Sequence, residues 1–462
     1  MTQTAPIPAA APHTATPPEL RAAPRTVRLN AFQVLMRRWT ALAPYNAGQM
    51  MHVTGEPDID RWRAAAESII GELGLGIPRF SGRDAVTFQT VPFVAVERTT
   101  ADPTALFNEE LNRAFAAGEM PIRFFVLRSE PGTHHFAAVY DHWIADSRAM
   151  RELMQRIFAR YQAAEAPALP ALQLECPPFN RLFRKYVGWL PRSAAMRQSF
   201  YNVVRHRRAC RINLPNALDF TARVIHRQLP DGLIQRLHRH AKAHGGSVND
   251  VFLAVLGQTM GEHTSPTRYR RRTRFYRLRR ERVGLGTIVD IRDAAAEPLD
   301  NVFGLYLSSY TVTLARPEKR PLDELVEELA ILTRRIKRKR TAVRSFQAFA
   351  MARWWWDFFR EKRYQALFFQ KTVPVAAGIS NVNMTGCWAD PQAHAAAEPE
   401  HPMVLDYVRI SPTGPLLPLV FTLTTIGQRL SLCVTYRTTA FATEEAEALV
   451  ADFAGRLNGI GP

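Results

Sequence analysis

Cysteine is scarce here, and what there is lies scattered. The four in 462 residues (Cys176, Cys210, Cys387, Cys433) form no CxxC pair. That spacing excludes a disulfide framework and a paired-thiolate zinc site, and it fits a reducing cytoplasm. No stretch of about 18 uninterrupted apolar residues occurs, so no membrane span is expected. No repeat of solenoid length occurs either. The first 25 or so residues are rich in Ala, Pro and Thr and lack an apolar signal-peptide segment, so they read as a disordered leader. Acidic residues are outnumbered, 42 against 60 basic, which leaves a formal charge of +18. Such an excess draws anions: nucleic acid, anionic lipid, coenzyme A or an acidic carrier protein.

What is present is a globular chain too long for one core. Hydrophobic residues make up 47%, which excludes wholesale disorder, and the length makes two lobes the default. Strand-like and helix-like periodicities alternate along both halves, which predicts α/β layers. An opening helix is read over Arg28 to Trp39, and Asp102-Pro103 starts a helix running to about Ala117. Ser247 and Asp250 read as a capping box. Helices are also read over Leu322 to Lys339 and Phe346 to Lys362.

The chemistry concentrates in Asp141-His142-Trp143-Ile144-Ala145-Asp146-Ser147. A largely apolar run, His134 to Tyr140, precedes it and an amphipathic helix follows. His142 therefore sits at a strand end, where a scaffold fixes the ring and leaves one nitrogen accessible to act as a base. Asp146 sits at the helix entry, where an acid also serves as a cap. HxxxD alone is a weak signal, since lone histidines are usually satisfied structural groups; its place between strand and helix strengthens it.

The segment resembles the HHxxxDG motif of the acyl-thioester-dependent acyltransferase superfamily, which includes chloramphenicol acetyltransferases, condensation domains, wax ester synthases and polyketide-associated acyltransferases. Further landmarks follow in the superfamily's order: Ser247-Val248-Asn249-Asp250, Val289-Asp290-Ile291-Arg292, Asn301 with Gly304, and Ser380-Asn381-Val382. The resemblance implies an α/β fold of two lobes, each a mixed sheet with flanking helices, and a tunnel between them. It implies His142 as general base, Asp146 and Arg292 as a structural pair at the site, and Ser380, Asn381, Ser147 or a backbone N–H near the motif as candidate oxyanion or tunnel groups. Asp141 stands where the motif has its first histidine. Ser147 stands where it has its glycine, which puts pocket shape and activity in question.

On this reading residues 1–27 are the leader, 28–178 the first lobe, 179–215 a basic aromatic crossover linker and 216–462 the second lobe. No bound cofactor or metal is implied; the co-substrate is acyl-CoA or a phosphopantetheine thioester on a carrier protein, and the acceptor is a small molecule or lipid. Arg270, Arg271, Arg272 and Arg274 are candidates for docking the thioester arm or carrier; the plainer reading is a solvated face with arginines on aromatics. Trp354-Trp355-Trp356 and Phe358-Phe359 lie among basic residues, a pattern suited to a membrane interface, although core burial is the default expectation for most of them. Two other readings stay open. One is an inactive relative that binds a carrier protein or lipid. The other is a basic peripheral protein binding membrane or nucleic acid, although no zinc finger or RNA-binding motif accompanies the charge. The location expected is cytoplasmic, with peripheral attachment to the inner membrane face as an option.

Overall fold

The strand-like stretches become three sheets in the computed structural model. It describes residues 25–461 except 92, 100–101, 129, 163–168, 175–178, 187–192, 194–195, 198–199, 201–203, 205, 264–280 and 389–400. A small sheet joins β1 (Arg25–Arg28), β4 (Ala85–Thr90) and β3 (Gly76–Ser81) in that order. The first lobe's sheet runs β12 (Val404–Ile410), β2 (Asn46–Thr54), β7 (Thr133–Asp141), β6 (Ile122–Arg128), β5 (Val96–Thr99). The second runs β10 (Leu307–Ala315), β9 (Arg282–Asp290), β11 (Ala377–Asn383), β13 (Leu419–Ile426), β14 (Arg429–Arg437), β8 (Ala222–Leu229). Both larger sheets are mixed: β5 pairs parallel with β6, and β11 runs parallel to β9 and β13.

Helices α1 (Ala31–Thr40), α2 (Ile59–Leu73) and α4 (Ser147–Gln162) bury their apolar stripes against the first lobe. Trp62 on α2 is fully buried, stacked on Phe136 of β7 at 4.0 Å and on Tyr161 of α4 at 3.8 Å. A second core gathers α5 (Leu233–Ala243), α6 (Val248–Glu262), α7 (Leu322–Arg338) and α10 (Thr443–Asn458) around the six-stranded sheet. A third apolar cluster joins the lobes: Met50, Val139, Val408 and Ile410 from the first sheet meet Val224 and Cys433 from the second.

Several elements differ from their sequence reading, each for a physical reason. The opening helix starts at Ala31, because Asn30 Oδ1 accepts the N–H groups of Phe32 and Gln33 while Gln33 Oε1 accepts that of Asn30. Arg25–Val27, inside the stretch read as leader, belong to β1. Helix α3 (Pro103–Glu110) stops well short of Ala117. Beyond it Asn112 leaves the helical path to exchange hydrogen bonds with the Ala222 backbone, at 2.8 and 2.9 Å. The helix read over Phe346 to Lys362 is two, α8 (Thr341–Phe358) and α9 (Lys362–Thr372). Between them Gln365 Nε2 donates to the carbonyls of Trp356 and Phe359 and closes the end of α8.

Two further differences bear on function. Strand β12 falls in the span read as second lobe, yet pairs antiparallel with β2, Arg409 opposite Gln49. Its two faces explain this: Tyr407 enters the first core, and Val408 and Ile410 enter the interlobe cluster. Most of the tryptophan segment is not in the core. Trp356 is 2% exposed, but Trp354, Trp355 and Phe358 are 63%, 48% and 68% exposed.

Candidate active site

Strand β7 is apolar because it is covered on both faces; Phe136 to Tyr140 are all 1% exposed or less. The register that places Asp141 opposite Asn46 also brings Tyr45 beside the next residue, His142. The His142 backbone N–H donates to the Tyr45 carbonyl at 3.1 Å. Its ring stacks on Tyr45 at 5.7 Å and meets Tyr140 edge-on at 5.9 Å. Gly414 makes room for that stack, since a Cβ there would fall 2.6 Å from Tyr45 Cε2.

His142 Nδ1 lies 3.0 Å from the Ala145 carbonyl. A carbonyl can only accept, so Nδ1 carries the hydrogen and Nε2 carries the lone pair. The residue is 9% exposed, and burial lowers its pKa despite the opposing pull of the Ala145 carbonyl and Asp146. It is neutral at pH 7, with Nε2 able to take a proton. His134 on the same strand shows the alternative fate. Its Nδ1 donates to the Gly55 carbonyl at 2.8 Å and its Nε2 accepts from Trp62 at 3.0 Å, so both nitrogens are used structurally.

Asp146 is fully buried. Its carboxylate accepts from the Ala149 N–H at 2.9 Å, capping α4, and from the Tyr306 N–H at 2.8 Å. Arg292 donates to both oxygens, at 2.8 and 3.2 Å, and Asp290 adds a contact to Arg292 at 3.3 Å. Burial opposes the Arg292 charge, but Asp146 and Asp290 outweigh it and raise its pKa. The Asp146 N–H also donates to the Gly304 carbonyl at 3.1 Å. The motif loop is thereby tied to the segment 290–306. Asp141 points into other company: its carboxylate accepts from Thr40 Oγ1 at 3.0 Å and Trp143 Nε1 at 2.9 Å. Burial pushes its pKa up to about 7.

Ser147 is the first residue of α4, and the positive-φ non-glycine positions among the described residues are Asn301, Arg316 and Arg340. A glycine conformation is therefore not required at Ser147. Its hydroxyl accepts from Gln49 Nε2 and from Arg409 Nη1, both at 3.3 Å. Arg409 is a residue the sequence reading missed. It is 2% exposed and has no carboxylate partner among the described residues. Five oxygens receive its hydrogens: Thr424 Oγ1, Ser147 Oγ, Ser380 Oγ, and the carbonyls of Ser380 and Leu423, at 2.7–3.3 Å. Burial pushes its pKa down to about 10, so it remains charged at pH 7. The signal available in the sequence was one cation in the otherwise apolar Tyr407-Val408-Arg409-Ile410. Asn381 follows Ser380 on β11, so strand alternation turns it to the opposite face.

Arg270, Arg271, Arg272 and Arg274 lie outside the described residues. Asp250 accepts both the N–H and the hydroxyl of Ser247, at 2.8 and 2.7 Å, which is helix capping. A cleft of about 530 Å³ holds His52, His135, His226 and Asp406, and another of about 450 Å³ holds Glu152, Arg156 and Trp388; His142 lines neither.

No protein-family model matches the sequence, and no curated protein sequence matches it. Solved structures do resemble it. The TRI3 trichothecene 15-O-acetyltransferase from Fusarium sporotrichioides is 10% identical with a TM-score of 0.71, over 95% of this chain and 96% of that one. The first condensation domain of the CDA synthetase is 13% identical with a TM-score of 0.65, over 95% and 96%. Polyketide synthase associated protein 5 from Mycobacterium tuberculosis is 12% identical with a TM-score of 0.61, over 95% and all of that chain. These likenesses show the fold: the chain has the mixed α/β architecture that the acetyltransferase and condensation-domain structures share.

Proposed function

We propose that this protein transfers an acyl group from a thioester, on coenzyme A or a carrier protein, to a hydroxyl or an amine, the hydroxyl being favoured. The observation that carries the reading is the tautomer of His142. The Ala145 carbonyl holds Nδ1–H and leaves the Nε2 lone pair as the base. Nε2 takes the acceptor's proton as the acceptor oxygen or nitrogen bonds to the thioester carbonyl carbon. The tetrahedral oxyanion then collapses, the carbon–sulfur bond breaks, and the imidazolium returns its proton to the departing thiolate. The donor and acceptor reach His142 through a passage between the lobes. No resident cofactor or metal takes part.

Asp146 and Arg292 act as positioning residues; a buried pair of this kind shapes a site more than it adds net stability. Oxyanion donors are supplied by Ser147 and Ser380. Each hydroxyl already accepts from Arg409, so each keeps its own hydrogen to give, polarised by a buried cation. Asn381 lines the passage rather than the oxyanion. The likeness to an O-acetyltransferase and to condensation domains supports acyl or peptidyl transfer in general.

The partner side rests on surface chemistry. The thioester carrier is drawn by the exposed cations at the end of α7, among them Arg334, Arg335, Lys337 and Arg338, and by the arginine-rich block 270–274. The exposed Trp354, Trp355 and Phe358, next to exposed Arg360, Lys362 and Arg363, suit attachment to an anionic membrane surface. No described helix is long and apolar enough to cross a membrane.

The test is to offer acyl-CoA and acyl-carrier donors of several chain lengths with a panel of alcohols and amines, following thiol release and product mass. Acceptor-dependent thiol release and an acylated product are expected. Binding of the thioester with no product from any pair would replace catalysis by the non-catalytic carrier-binding reading.

A further inference from the structure

On the outer side of the second lobe, His240 and His244 stand one helical turn apart at the end of α5, their rings 4.8 Å apart. Asp323, in the first turn of α7, faces them. Its Oδ1 lies 3.5 Å from Nε2 of His240 and 3.5 Å from Nε2 of His244. His244 Nδ1 lies 3.2 Å from Glu327 Oε1. A carboxylate accepts, so Nδ1 carries the hydrogen and the His244 lone pair is turned toward Asp323. His240 Nε2 is buried and makes no hydrogen bond. The His244 lone pair thus faces a carboxylate oxygen at a distance too long for a good hydrogen bond, with the unbonded His240 Nε2 beside it, and a cation between them would satisfy all three atoms.

We propose that His240, His244 and Asp323 bind a divalent transition-metal ion of the zinc, cobalt, nickel or copper kind. The three ligand atoms all lie within 4.8 Å of one another. Metal–ligand bonds of about 2.0–2.1 Å in a tetrahedron put donors roughly 3.3 Å apart, so the two nitrogen–oxygen edges need to shorten only slightly, and the nitrogen–nitrogen edge, within 4.8 Å, closes by rotation of the imidazole rings. Two imidazoles and one carboxylate select this class over calcium or magnesium, which take oxygen ligands. Glu327 supplies the outer carboxylate that orients a metal-bound histidine. The fourth position is left to solvent, because Asp323 is 58% exposed at its side chain. The site lies on helices that carry none of the residues around His142, so its task is to clamp the end of α5 to the start of α7.

The experiment uses the full-length, untagged protein freed of metal by a chelator and titrated with Co²⁺. The expected result is one equivalent of four-coordinate Co²⁺ with strong visible bands, displaced by Zn²⁺, and a melting temperature that rises with Zn²⁺. His240→Ala/His244→Ala should lose both responses while melting normally without metal. Should that variant fail to fold, Asp323→Asn gives the same reading, with binding weakened at least tenfold; Glu327→Gln should keep the bands at roughly 10–100-fold lower affinity. A Co²⁺ spectrum that stays that of the aqueous ion overturns the proposal. Bands that persist in the double variant overturn it as well.

Discussion

At the residue scale, two groups in adjacent positions are both pushed toward their uncharged forms by burial, which moves their pKa values in opposite directions. His142 is kept neutral by burial, so its pKa lies below the ordinary histidine value. Turnover should therefore fall only in acid, below about pH 6.5, and a pH–rate profile with its acid limb above that value would contradict the account. Asp141 is pushed the other way, to about 7. The folded chain keeps a proton there that the unfolded chain gives up near the ordinary carboxylate pKa of roughly 4. Its contribution to stability is complete below that value and is lost as pH rises through about 7. Asp141→Asn should thus gain stability against the parent at pH 8 relative to pH 4, measured by urea midpoints; an equal offset at both would refute it. The HxxxD spacing made the placement of His142 at a strand end and of Asp146 at a helix cap legible, because strand, loop and helix follow one another in a short stretch of sequence. Arg409 was not legible, because the acceptors that make its burial tolerable come from β11, β13 and α4, far apart in sequence.

At the element scale, the proposed base requires that neighbouring elements hold Tyr45 and Asp146 still. Gly414→Ala would drive a methyl into the Tyr45 ring. Overpacking of that kind costs about 1–3 kcal/mol, and because Tyr45 stacks on His142, kcat should drop by more than the stability loss explains. Steady-state kinetics beside thermal melting checks this; a variant with parental kcat would remove Tyr45 from the account. Breaking the Asp146–Arg292 pair from one side, with Arg292→Met, should destabilise by about 3–5 kcal/mol because it leaves a buried carboxylate. The double change with Asp146→Asn should recover part of that loss, and denaturant curves of all three would show it. Strand and helix periodicity located most elements, since each reflects burial on one face. It could not locate the lobe that owns β12, because pairing partners are a property of the whole sheet. Nor could it see that α8 and α9 separate, since neither proline nor glycine marks the break.

At the scale of the whole molecule, the proposed membrane attachment draws on the formal charge of +18 and on the exposed aromatics together. Binding to vesicles rich in phosphatidylserine should be salt-sensitive and should weaken at least tenfold in Trp354→Ala/Trp355→Ala/Phe358→Ala, with neutral vesicles bound poorly by both. Equal binding by the triple variant in sedimentation assays would assign these residues to another surface. The fold could be expected from the order of several weak motifs, each short and none decisive alone. Its surfaces could not, because which tryptophan faces water depends on how α8 lies against α1. The central claim is that a single imidazole between the two lobes removes the acceptor's proton. The measurement that tests it most directly is the turnover number of His142→Ala with the best donor–acceptor pair, beside its melting temperature. The account predicts a fall of about 10²–10⁴-fold with the melting temperature within a few degrees of the parent. Turnover within threefold of the parent in a folded variant would contradict it.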